Sequence, residues 1–288
     1  MKKWLALISI SVAVALLYAA CGDNVPAKPG IGSTITSEKD GAKMVYVPQG
    51  EFAMGLGDRD YYSNPAHKVV LDAYWIDQTE VTNAMYEKCV TDGICKEPGN
   101  KSSATRSSYY GNSEFDDYPV IYVDWNMAKN YCEWRGHKLP TEAQWEKAAR
   151  GTDGRIYPWG ENIIDCSLAN YYWTSRDYGL WEHYCAGDTT KVGSYESGKS
   201  PYGIYDMVGN VSEWVADWHG AVYEPNSLVI NPAGPDTGVY RITRGGSWRD
   251  SSLYSSSLPL ALSVISDTLS AFDTKDEIGF RCASNTSP

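Results

Sequence analysis

Side chains that could carry out chemistry are few in this sequence, and they are scattered. His67, His137, His183 and His219 lack the close spacing by which imidazoles share one metal ion. Asp217 and His219 lie near each other, but no serine in a nucleophile-elbow motif accompanies them. Tyr157-Pro158-Trp159-Gly160 is not a phosphate-binding loop. Structural roles account better for all of these. What the sequence offers instead is a surface for binding. From Arg249 to Thr274 the residues are Ser, Leu, Asp, Ala, Val, Ile, Thr, Tyr, Phe, Pro and one Arg. Lys, Glu, Gln, Met and Trp are absent from this stretch, although all five occur elsewhere. Its apolar residues run roughly alternately from Leu258 through Leu260 and Leu262 to Val264, short of the clean period of a strand. The stretch reads as a recognition surface held by its two ends, or as a Ser-rich loop that covers the core.

The two ends look rigid. Arg244-Gly245-Gly246-Ser247-Trp248 suggests a tight turn packed against a large ring. Ile278-Gly279-Phe280-Arg281-Cys282-Ala283 reads as a closing strand tied down by a cysteine. Upstream, Met44–Val47 and Val69–Ile76 are strand candidates. Thr82 can cap a helix running through Cys89. Asp124 can cap another, with Trp125, Ala128 and Cys132 on one face and Gly136 at its end. Thr141-Glu142-Ala143-Gln144 is a capping box, with Gly151 after Arg150. No convincing helix follows Gly151. The pattern predicts an α+β fold with two or three early helices and much irregular structure late.

Composition narrows the class. In 288 residues, a 43% hydrophobic share supports a core, and 11 Trp with 22 Tyr against four Phe suits binding surfaces. A net charge of −11 argues against a nucleic-acid partner. Lys2-Lys3, an apolar run from Trp4 to Ala20 and then Cys21 describe an export signal. The Cys after Ala19-Ala20 resembles the bacterial lipoprotein signal, although Tyr18 stands where Leu is usual. An ordinary signal peptide or a single membrane span is the alternative. Residues 1–20 are expected to be a lipoprotein signal, 21–40 a flexible Gly/Pro/Ser/Thr-rich tether, and 41–288 one domain. Cys21 would carry the lipid, in the bacterial outer membrane and facing outward. An exported chain can keep disulfides. Cys89 and Cys95 flank a turn, and Cys166 and Cys185 bracket an aromatic insertion. Cys132 and Cys282 remain by elimination; buried free thiols are the alternative.

Several phrases resemble the sulfatase-modifying, formylglycine-generating enzyme family. They are Met44–Gly55, His67–Thr82, Val123–Trp145, Tyr157–Gly160, Tyr202–Trp214, Arg244–Trp248 and Gly279–Ala283. The resemblance covers essentially the whole domain. It implies a C-type-lectin-like fold of the formylglycine-generating-enzyme type, and a disulfide between Cys132 and Cys282. The family's oxidase needs two cysteines after the glycine turn, as copper ligands and nucleophile. Here those places are Asp250 and Ser255, and no cysteine lies between Cys185 and Cys282. The resemblance therefore carries the fold and not the activity. Gly209–Trp214 resembles a family segment that can hold calcium through Asn210, a backbone carbonyl and Glu213. Hydrogen bonding of those two side chains within the loop is the alternative, and no other cofactor is expected.

The framework also resembles the variable proteins of diversity-generating retroelements, whose adenine-rich codons are rewritten near the gene's end. Mutable AAC and AAT codons cannot become Lys, Glu, Gln, Met or Trp, and Arg249–Thr274 has none of these five. Leu253, Tyr254, Leu260, Leu262, Val264, Ile265 and Phe272 could supply an apolar centre, with Trp248 at its edge. Ser252, Ser257, Arg249, Asp250 and Asp267 could add polar selectivity. The expected partner is a protein or other cell-surface macromolecule, bound by a monomer. An exported family member with an enzymatic or assembly role in the envelope is the competing reading.

Overall fold

The computed structural model describes residues 29–55, 66–162, 164–175, 181–220, 227–250 and 265–286. Cys21 lies outside the described residues, as do Ser252, Leu253, Tyr254, Ser255, Ser257, Leu260, Leu262 and Val264.

The helix starts lie where the capping residues put them. The Thr82 hydroxyl accepts the Met85 N–H and opens α1 (Asn83–Thr91). Asp124 accepts the Met127 N–H and opens α2 (Trp125–Trp134). Thr141 and Gln144 exchange reciprocal bonds at the head of α3 (Glu142–Arg150), satisfying two N–H groups that the helix itself cannot. Gly151 ends α3 at φ 69°, and a Cβ there would come within 2.9 Å of the Pro201 ring. Among the described residues beyond it, helical structure is confined to one 3-10 turn at Glu196–Gly198.

Four small sheets surround these helices. β1 (Thr34–Thr36), β2 (Lys43–Val47), β5 (Tyr74–Asp77) and β13 (Ala283–Ser284) form one sheet in the order β1-β2-β5-β13. β3 (Gly50–Met54), β4 (His67–Leu71) and β9 (Leu228–Ile230) form a second. β6 (Tyr172–Ser175) and β7 (Trp181–Tyr184) make an antiparallel hairpin. The fourth has the order β11-β10-β8-β12, from β11 (Ile265–Leu269), β10 (Arg241–Arg244), β8 (Ser212–Trp218) and β12 (Ile278–Phe280). β12 runs parallel to β8 and forms one edge of the sheet.

Two expectations are corrected. The strand foreseen over Val69–Ile76 is two strands in different sheets, because β4 pairs with β3 and β9 while β5 pairs with β2 and β13. The expected tether also ends before residue 40. Thr34–Thr36 pairs with Lys43–Val45, and Asp40 is buried, where it receives the Tyr131 hydroxyl and ion-pairs with Arg135 at 3.0 Å. A buried, paired carboxylate holds chain that composition alone assigns to a linker.

The core divides along the helices. Trp145, Ala148 and Ala149 of α3 pack with Val45, Ile76, Met207 and Ile242. Tyr86, Tyr131, Trp214 and Phe280 pack around the Cys132–Cys282 disulfide. Three buried indoles give their N–H to acceptors: Trp125 to Val215 O, Trp145 to Glu213, and Trp214 to Val123 O. The Cys89–Cys95 and Cys166–Cys185 disulfides are also formed.

Candidate functional site

The site is built on a frame of buried charge. Arg281 gives two bonds of 2.6 Å to the two carboxylate oxygens of Glu213, and two more to Asp77 O and Tyr205 O. Arg244 reaches Glu142 at the head of α3 at 3.3 Å and Glu146, one turn further on, at 2.8 Å. Burial opposes ionisation of Glu146, but Arg244 and Arg150 hold its carboxyl below the usual range. Burial pushes the carboxyls of Glu80 and Asp206 up beside this frame; Asp206 and Glu213 push Glu80 further, while the Gly193 N–H at 2.6 Å and Arg281 only partly offset the rise at Asp206. These contacts fix the strands from which the Arg249–Thr274 stretch departs and to which it returns.

The departure is a turn that admits glycine. Gly245 and Gly246 have φ of 94° and 67°. A Cβ on Gly245 would sit 3.1 Å from the Trp145 ring. Beyond the turn, the Trp248 N–H donates to Asn210 O, and the Asp250 carboxylate accepts the N–H and hydroxyl of Ser247 at 2.7 and 2.8 Å. The return is close by. Arg249 pairs with Asp276 at 2.8 Å and with Glu277 at 3.3 Å, and its guanidinium lies 4.6 Å over the Trp248 ring. The Trp248 indole N–H points to Asp276 O. The two ends of the stretch are thus clasped to each other.

Of the residues expected to contact a ligand, Arg249 is half exposed and Phe272 is 76% exposed. Trp248 is corrected: at 3% exposure it is part of the base and presents no face to a partner. Asp250 turns its carboxylate back onto Ser247. Ile265 and Asp267 fall on β11. A contact that sequence reasoning missed is the β6–β7 hairpin, whose Tyr172 N–H donates to Asp250 O at 3.1 Å. The bracketing cysteines marked the hairpin as an insertion but not its destination. A cavity of about 610 Å³ lies elsewhere, lined by Trp125, His137, Leu139 and Asn285 among others, and none of the expected site residues lines it.

The sequence profile of the sulfatase-modifying factor enzyme 1-like domain matches residues 32–286. The chain belongs to this family. A formylglycine-generating enzyme from Streptomyces coelicolor is 30% identical over 320 residues, covering 94% of this chain and 97% of that enzyme. The inactive Cα-formylglycine-generating enzyme 2 of Bos taurus is 30% identical over 294 residues, 84% of this chain and 87% of that protein. The serine/threonine-protein kinase pkn1 of Chlamydia pneumoniae is 33% identical over 246 residues, 77% of this chain but 36% of the kinase. The chain thus spans about a third of the length of such kinases. Among solved structures, Treponema denticola variable protein 1 shares the fold at a TM-score of 0.66 and 23% identity, over 90% of this chain and 100% of that one. The fold is therefore α+β, C-type-lectin-like and of the formylglycine-generating-enzyme type.

The sulfatase-modifying-factor domain includes members with and without activity, and the state of the cysteines in this one is plain. Cys89, Cys95, Cys132, Cys166, Cys185 and Cys282 are all consumed in disulfides. The Asp250 carboxylate serves as a cap on the Ser247 turn. The calcium expectation at Asn210 and Glu213 does not fit. Asn210 Oδ1 already accepts from the Thr190 N–H at 2.8 Å and the Thr190 hydroxyl at 3.2 Å, and Asn210 Nδ2 donates to Glu80. Both oxygens of Glu213 are held by Arg281, and one also by Trp145. A cation there would have to displace a guanidinium. Among the described residues no group of three or more His, Cys, Asp or Glu is placed to hold a metal ion.

Proposed function

We propose that this chain is a non-catalytic lipoprotein, anchored through Cys21 in a bacterial outer membrane, that binds a macromolecule through a diversified segment at Arg249–Thr274. One observation carries the reading. A stretch lacking Lys, Glu, Gln, Met and Trp is suspended between ends that are clasped by Arg249, Asp276, Glu277 and Trp248 and rooted in buried ion pairs. Substitution at exposed positions costs little stability, usually within about half a kcal/mol. Exposed positions between fixed ends can therefore change their contacts while the frame stays folded. The pre-formed base also reduces the ordering cost of binding.

Deep sequencing of the last part of this gene across many cells of one lineage tests the proposal. Substitutions should fall on codons within Arg249–Thr274 and spare Arg244–Trp248 and Ile278–Ala283. An invariant segment would overturn it. The competing reading, an exported protein with an enzymatic or assembly role, draws on family membership. It is opposed by the pairing of every cysteine after Cys21. Incubating the purified chain with copper and a cysteine-containing substrate peptide should give no oxidised product.

A further inference from the structure

We infer that the β6–β7 hairpin is a constant wall of the binding site, and that it takes Arg or Lys side chains of a protein partner onto its tyrosine faces beside an acidic rim. The inference rests on reading Arg249–Thr274 as the binding segment.

The hairpin is joined to that segment by backbone, through the bond from Tyr172 N–H to Asp250 O. It is also joined by rings. Tyr172 and Tyr184 are directly paired across the hairpin, with centroids 4.5 Å apart. Tyr184 lies 5.7 Å from Trp248, and the Arg249 guanidinium covers Trp248 at 4.6 Å. Four flat groups thus run in one row from the hairpin to the first residue of the segment. The row is held in advance of any ligand. The Cys166–Cys185 disulfide closes the hairpin beside Tyr184, and the Cys185 N–H donates to Tyr171 O. Tyr171 is buried, with its hydroxyl on Ile164 O. Tyr184 nevertheless keeps 47% of its surface exposed. An exposed aromatic on a fixed backbone binds at low entropic cost, since few rotamers must be ordered.

Charge decides what suits this wall. Asp250, Asp276 and Glu277 lie around the clasp, against Arg249 and Lys275. Both cations are already engaged, Arg249 with Asp276 and Glu277, and Lys275 with Glu277. The whole chain carries −11. A phosphate-bearing or polyanionic ligand meets repulsion, whereas a guanidinium or ammonium gains an aromatic face and nearby carboxylates together. Because Tyr172, Tyr184, Asp276 and Glu277 all lie outside Arg249–Thr274, every diversified version would keep this preference while the segment reads the rest of the partner.

The test uses the full chain in detergent and a phage-displayed random peptide library. Selected peptides should be enriched in Arg and Lys. Against one such peptide, Tyr184→Ala should weaken binding about five- to tenfold while Tyr184→Phe retains it, the cost of one partly desolvated cation–π contact. Changing the peptide's Arg to Gln should cost a similar factor, and the two losses should not add. Peptides without cationic enrichment, or a Tyr184→Ala effect within twofold, would overturn the inference. A third variant, with Leu258, Leu260 and Leu262 all changed to Ser, separates it from the proposed function. Loss of binding in that variant alone sinks the hairpin wall and keeps the segment. Loss in Tyr184→Ala alone overturns the proposed function, and with it the hairpin's part as a wall of that site.

Discussion

Three arginines make two kinds of ion pair in this chain, and the contrast divides the frame from the rim. Arg281 and Arg244 are buried, with side chains 0% and 1% exposed against carboxylates of similar burial. Arg249 is 47% exposed, although its 2.8 Å contact with Asp276 is as short as that of Arg244 with Glu146. Equal distances do not mean equal consequences. Breaking a buried pair strands a charge in a medium that cannot solvate it, whereas water replaces the partner of an exposed one. The frame therefore resists change at single positions, and the rim a few residues away tolerates it. That difference is what a diversified site requires of its scaffold.

The contrast can be broken most severely at the staple. Cys132→Ser with Cys282→Ser opens a link between residues 150 apart, which loop entropy values at about 5 kcal/mol. Denaturant unfolding should show that loss or a failure to fold. Arg281→Met leaves Glu213 buried and unpaired, and should cost about 3–5 kcal/mol by the same measurement. A smaller loss would mean that the frame is wetter than its burial indicates.

Asp217, on the frame strand β8, gives a pH-dependent test. Burial, and then the neighbouring Glu142, pushes its carboxyl up to about 7. A carboxyl raised in the folded state binds more protons folded than unfolded. Its contribution is thus fully present below the unfolded value of about 4 and is lost as pH rises through about 7. Asp217→Asn should flatten that part of the stability profile. It should raise stability by about 2–4 kcal/mol near pH 8, with little change near pH 4, because Asn can still accept the Glu142 N–H. An unchanged profile would show that Asp217 is ionised in the fold. The smallest effect belongs to the rim. Arg249→Ala should shift the unfolding midpoint by no more than about 0.5 kcal/mol, and by less still in high salt. A loss as large as that of Arg281→Met would erase the distinction between the two regions.

Much of the frame was legible because it depends on neighbours in sequence. Caps at Thr82, Asp124 and Thr141 act over three residues, and the helices begin where they lie. The Cys89–Cys95 and Cys166–Cys185 bridges follow from turns and brackets within short loops. The candidate site was less legible. Its clasp joins Arg249 to Asp276, and nothing near either residue announces the other. Trp248 read as a contact residue because tryptophans favour binding surfaces, yet the fold buries it under Arg249. Asn210 and Glu213 have the oxygen donors for a cation, but partners at Thr190 and Arg281 take them first.

By itself the sequence determined the helices, the glycine turn, the α+β class and the restricted alphabet of Arg249–Thr274. Each of these rests on local stereochemistry or on residue identity. Only the tertiary structure decided that the hairpin reaches Asp250, that Thr34–Thr36 join the sheet, and which arginines are buried. Those outcomes depend on which distant carboxylates and backbone groups come together, and the burial of a charge is a property of the assembled core.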